Sequence, residues 1–227
     1  MSWLHRFGTV ALLATVALPL VPSDASASVS IAVGFDQLVK DADDVAVITA
    51  GEGQSVWEDG RIVTYTKVHV DQGVAGGDLT AGNDTFVRTL GGVVGKIGQQ
   101  VDGEPVLVKD KPSLLFLRKF KVSAFEVSAR GQGQYPVVID EKTKAKKFIR
   151  SNSAGMLLPP KPATVPASGV TTQSVTDGQR QQGVKEIKVL AHEMLHERSI
   201  DDGTRDIASA WKRLHAPAVN QNQSTTK

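Results

Sequence analysis

The sequence predicts a mainly β fold: a small antiparallel barrel or sandwich over residues 28–150, then a flexible linker over 151–183 and a C-terminal helical hairpin over 184–215. Three observations predict it. Short apolar or alternating runs recur at near-regular spacing from Val45 to Ile149, with almost no helical periodicity among them. Glycines punctuate those runs at Gly76-Gly77, Gly91-Gly92, Gly131 and Gly133. After Ile149 the composition shifts to Ser, Pro, Thr, Gly and Gln, including Pro159, Pro160, Pro162 and Pro166, and too few apolar residues remain to order the segment alone.

The chain opens with Arg6, an apolar run from Phe7 to Val21, and Ser23-Asp24-Ala25-Ser26-Ala27, which fits an A-x-A cleavage site. Residues 1–27 are therefore expected to be a signal peptide, with the mature chain starting near Ser28 and exported to the periplasm or the exterior. A run of ~15 residues is too short for a spanning helix, which needs about 20. No later stretch is apolar enough to cross a membrane, and the absence of cysteine excludes a lipid anchor after the run. It also excludes a disulfide framework, a cysteine nucleophile and a thiolate metal site, so the fold must rest on its own apolar core. A net charge of +2 gives no argument for a nucleic-acid partner.

Phe35, Leu38, Val39 and Ala42 recur at helical spacing, so residues 35–42 are expected to form a short helix ahead of the sheet. Val45 to Thr49 reads as a buried strand. Glu58-Asp59-Gly60 marks a turn, after which Ile62, Thr64, Thr66, Val68 and Val70 alternate with Val63, Tyr65, Lys67 and His69 as a long strand. Further strands are expected at 84–90, 113–120, 125–129, 135–139 and 146–149. The alternation nominates Val45, Val47, Val68, Val70, Leu115, Leu117 and Val137 as one barrel core, and Trp57 beside Glu58-Asp59-Gly60 reads as a lid packed on its end, the alternative being an exposed aromatic at the loop tip. Lys142, Lys144, Lys146, Lys147 and Arg150 read as a solvated hairpin tip. Asp201-Asp202-Gly203 is expected to end the first C-terminal helix, Asp206 to Leu214 to form the second, and residues 216–227 to be a disordered tail.

Asp41-Ala42-Asp43-Asp44-Val45 entering a strand, Thr64 to Val74 ending in glycines, Gly91-Gly92, Gln99 to Pro105, Leu114-Leu115-Phe116-Leu117 and Arg130-Gly131-Gln132-Gly133-Gln134-Tyr135-Pro136-Val137 follow one another in order. In this the chain resembles uncharacterised exported bacterial proteins, which themselves resemble the OB-like barrel of netrin and tissue-inhibitor-of-metalloproteinase modules. The resemblance implies an OB-like barrel and export. It implies no site, because those inhibitors cap a protease zinc through an N-terminal cysteine and this chain has none.

One motif spells out chemistry. His192-Glu193-Met194-Leu195-His196 is H-E-x-x-H, which on a helix sets two imidazoles one turn apart to share zinc, with Glu193 as general base. Ile187, Leu190, Ala191 and Met194 would form the buried stripe opposite both histidines. Against that reading, the third ligand is missing from its usual places, leaving only Asp201, Asp202, Asp206 and His215 as candidates. Lys185 and Lys188 would share the histidine face, where cations disfavour a metal. The expected function is thus an exported, non-enzymatic binding or structural module of the cell envelope, without a cofactor. The alternative is a zinc peptidase with His192 and His196 as ligands and Glu193 as base. The partner would be a protein or another envelope component.

Overall fold

A computed structural model of the chain describes residues 29–160 and 189–216. The expected signal peptide, residues 161–188 of the expected linker and helix, and all but the first residue of the expected tail lie outside the described residues. The elements run β1 (Val29–Ile31), α1 (Phe35–Lys40), β2 (Asp44–Glu58), β3 (Arg61–Ala75), β4 (Asp84–Leu90), β5 (Gly92–Val94), β6 (Ile97–Gln99), β7 (Pro112–Lys121), β8 (Ala124–Val127), β9 (Gln134–Ile139), β10 (Lys146–Phe148), β11 (Met156–Leu158), α2 (Ala191–Leu195) and α3 (Ile200–Leu214).

Seven strands form one sheet in the order β10-β9-β7-β2-β3-β4-β8, and a β7–β8 pairing closes five of them into a ring. Round the ring the order is β2-β3-β4-β8-β7, antiparallel except for the parallel β4–β8 seam. That is the five-stranded closure of an OB-like barrel. The two long strands bend into it through register shifts at Val45/Ala46, Val47/Ile48 and Ala50/Gly53. Asp59 (φ 50°) and Gly60 (φ 76°) both take the left-handed conformation that a two-residue β2–β3 hairpin needs. At the other end of β3, buried Asp44 accepts the N–H groups of Gly77, Asp78 and Leu79 at 3.0, 3.0 and 3.3 Å, pinning the β3–β4 loop. Gly76 (φ 94°) is required there, because a Cβ would run into Asp44.

Two apolar clusters share the sheet. The lumen holds Ala46, Ile48, Val68, Val70, Val87, Leu115, Leu117 and Phe125. The outer cluster joins Val45, Val47, Leu114, Phe116, Tyr135 and Phe148 to Leu38 and Val39 of α1, Leu195 of α2 and Ile207 of α3. The single core expected from alternation therefore divides. Val68, Val70, Leu115 and Leu117 do line the lumen, whereas Val45 and Val47 face the helices and Val137 is a partly buried neighbour of the same outer layer. The cause is visible in Val45 to Ile48 and Leu114 to Leu117, which are apolar without interruption and buried on both faces.

The expected boundary at residue 150 moves for the same reason. Ser151 caps a 3₁₀ turn over Asn152–Ala154 and its hydroxyl bonds Gln134 at 3.0 Å, while β11 pairs in parallel with β1. Segment 151–158, expected as free linker, belongs to the fold, and so do the helices, whose apolar faces complete the outer cluster. Three-residue strands β1, β5, β6 and β11 are too short to show a period in sequence. Trp57 is 51% exposed on the hairpin instead of covering the barrel end.

The expected break at Asp201-Asp202-Gly203 is instead the first turn of α3. Ser199 caps it, accepting the Asp202 N–H at 3.2 Å, and the two aspartates sit where the helix dipole favours anions. Gly203 is buried against Phe148, and a Cβ there would lie 2.8 Å from the ring. Gly203→Ala, which favours an exposed helix by about 1 kcal/mol, should here destabilise by about 1–3 kcal/mol through overpacking. Thermal unfolding checks the sign. Ile207→Ala, fully buried in the outer cluster, should cost about 2–5 kcal/mol. A chain ending at Pro160 should lose cooperative unfolding, as calorimetry would show.

Candidate functional site

Between β1, α1, α2 and α3 lies a cavity of about 940 Å³, open on one side. Its apolar surface comes from Val33, Phe35, Met194, Ala210 and Leu214, and its polar edge from Asp36, Gln37, Lys40, Asp206, Ser209 and Arg213. Pro160 and Val189, where the described chain leaves off and resumes, both line it.

Local geometry builds the walls. The Gln132 amide accepts the Val33 N–H at 2.9 Å and donates to the Ile31 carbonyl at 3.0 Å, holding the chain after β1 much as a neighbouring strand would. Val189 and Leu190 run extended beside it, with Phe35 N–H bonded to the Val189 carbonyl at 2.8 Å and Ala191 N–H to the Val33 carbonyl at 3.0 Å. Helix α1 then turns Phe35, Leu38 and Val39 inward and leaves Asp36, Gln37 and Lys40 along the rim.

The rim charges are mostly matched. Arg213 grips Asp36 through two hydrogen bonds of 3.0 and 2.7 Å, and holds its carboxyl below the ordinary aspartate range. Arg198 donates two hydrogen bonds of 3.1 and 2.8 Å to Oδ2 of Asp206. Lys40, by contrast, has no ion-pair partner among the described residues.

Of the H-E-x-x-H motif Met194 lines the cavity, whereas His192, Glu193 and His196 do not. Helix α2 starts only at Ala191, so Leu190 of the expected stripe precedes it in extended conformation, and the helix buries Ala191 and Leu195. His192 lies on its first turn, half buried, with Nδ1 enclosed and without a hydrogen-bond partner. Glu193 turns back to accept the Leu190 N–H at 3.3 Å. His196 is already past the helix, extended at ψ 131°, and its Nδ1 accepts the Arg150 N–H at 3.1 Å. The helical spacing that would set the two imidazoles side by side thus ends one residue early. Asp202 binds Ser199 and Arg205, Asp206 binds Arg198, and His215 stacks on Trp211 with ring centroids 3.9 Å apart. Asp201 lies exposed in the first turn of α3. Among the described residues no three His, Asp or Glu side chains gather closely enough to hold a metal ion. This donor set does not fit a tetrahedral zinc site, which takes three protein ligands. Lys185 and Lys188 lie outside the described residues.

Compared with known proteins, the chain matches no family model, no curated protein and no solved structure. What the site does is therefore argued from its own geometry. Sequence reasoning missed the cavity because its lining comes from four separate segments, none of which forms a local motif.

With Glu193 and His196 both engaged in backbone bonds, protein purified without chelators should contain far less than one zinc per chain by elemental analysis. His196→Ala should lower stability by at most about 1 kcal/mol, the worth of one part-exposed hydrogen bond. Stoichiometric zinc, lost in His192→Ala, together with peptide cleavage abolished by Glu193→Gln, would favour the zinc-peptidase alternative.

Proposed function

We propose that this protein is an exported, non-enzymatic binding module of the cell envelope and that its ligand site is the cavity between α1 and α3. The observation that carries the reading is the cavity itself. Its volume, about 940 Å³, falls in the roughly 300–1,000 Å³ range of small-molecule sites, and an apolar interior with a few polar groups at the edge is the composition such sites share. Support for a non-enzymatic role comes from the histidine motif, whose base and second imidazole are engaged in holding the chain. Export rests on the Phe7–Val21 run and the A-x-A site after it. Among the described residues no helix is long and apolar enough to cross a membrane.

A neutral apolar fluorophore, N-phenyl-1-naphthylamine, tests the site directly. It should bind at one per chain, with the blue shift of a water-excluded environment. Ser209 is exposed on the cavity edge, so Ser209→Trp should fill the mouth without disturbing the core, leaving the melting temperature within about 1 °C. That variant should lose the bound probe. Absence of binding by the unaltered protein, or binding unaffected by Ser209→Trp, would remove the cavity as the site.

A further inference from the structure

We infer that the cavity takes a single-chain anionic amphiphile, its hydrocarbon tail lying along Phe35, Met194, Ala210 and Leu214 and its anionic head on Lys40. The inference rests on the cavity being the ligand site and adds the chemical class of the ligand.

Two features of the walls select that class. First, most of the backbone groups that a peptide would need are already used. Val33 N–H is bonded to Gln132, the Val33 carbonyl to Ala191 N–H, the Gly34 carbonyl to Leu38 N–H, and Phe35 N–H to the Val189 carbonyl. A peptide laid here would surrender its own backbone hydrogen bonds to water and find no ladder in return. A hydrocarbon chain surrenders none. Second, of the two carboxylates and two cations on the lining, Lys40 is the one without an ion pair among the described residues. Asp36 is held by Arg213 and Asp206 by Arg198, which leaves the Lys40 ammonium on the lining with no carboxylate among the described residues. An anionic head would give that ammonium a partner, and a positive head would meet a like charge. Carboxylate and phosphate monoester share this chemistry, so the head belongs to a free fatty acid or to a phosphate-bearing lipid.

Calorimetric titration of the full chain below the micelle concentration tests the inference, with laurate, dodecyl phosphate and 1-dodecanol as probes. One anion should bind per chain, about tenfold tighter than the alcohol, and each methylene added from octanoate to laurate should tighten binding roughly fourfold. Lys40 is exposed on a short helix, so Lys40→Glu should fold normally, lose the tenfold preference and keep the dependence on chain length, while Lys40→Arg should retain both. Preference for laurate points to a fatty acid and preference for dodecyl phosphate to a phospholipid head. Equal binding of laurate and 1-dodecanol, or a preference that survives Lys40→Glu, would overturn the assignment of the head. Binding of N-phenyl-1-naphthylamine but of no dodecyl probe would overturn the amphiphile while leaving the cavity a site. Failure of all four probes would remove the cavity reading itself.

Discussion

Strands β2 and β7 carry apolar side chains on both faces, and a wall built from such strands has to be covered twice. The lumen takes Ala46, Ile48, Leu115 and Leu117, while Val45, Val47, Leu114 and Phe116 point outward. Left in water, each of the outward four would forfeit roughly 1.5–3 kcal/mol, a total comparable with the ~5–15 kcal/mol stability of a typical domain. The three helices are therefore the second half of the core and not an appendage. This one constraint draws the chain beyond Ile149 back onto the barrel, where β11 closes on β1 and α3 lies against Phe148 and α1.

The same return path decides the fate of the histidine motif. β10 is a three-residue edge strand whose outer backbone groups need partners. Phe148 finds them in Glu197 N–H and the Arg198 carbonyl, at 2.8 and 2.9 Å, with Ser199 bridging Lys147. Forming those bonds puts Glu197 at φ 61°, which no helix tolerates, so α2 stops at Leu195. A spacing that reads as a zinc ligand pair on a continuous helix is thus cut by an edge strand taking its hydrogen bonds from the next residues along.

The cavity is a consequence of unequal helices packed on one sheet face. Helix α1 has six residues and spans about 9 Å, whereas α3 has fifteen and spans about 22 Å. The shorter helix cannot cover the longer one, and Ala210 and Leu214 are left facing the strip of chain after β1. Because that strip spends its hydrogen bonds on Gln132 and on the chain entering α2, the uncovered surface is apolar in both side chain and backbone. The ion pairs Asp36–Arg213 and Asp206–Arg198 fix its rim.

Much of the barrel was legible in sequence because strand periodicity and turn chemistry are local. β4 falls on the expected residues, β3 carries the expected alternation, and Asp59-Gly60 turns where its φ angles require. The uninterrupted apolar runs Val45 to Ile48 and Leu114 to Leu117 also carried, unread, the signal that both faces of those strands are buried. By itself the sequence determined a mainly β chain that must fold around an apolar core without disulfides. Tertiary structure alone decided that the core is double, that Gly203 lies within a helix at a point where Phe148 leaves no room for a Cβ, and that His196 faces the Arg150 backbone. Those outcomes depend on contacts between residues far apart in the chain, and such contacts override local helical preference wherever burial and backbone pairing are worth more than the few tenths of a kcal/mol per residue that propensity supplies.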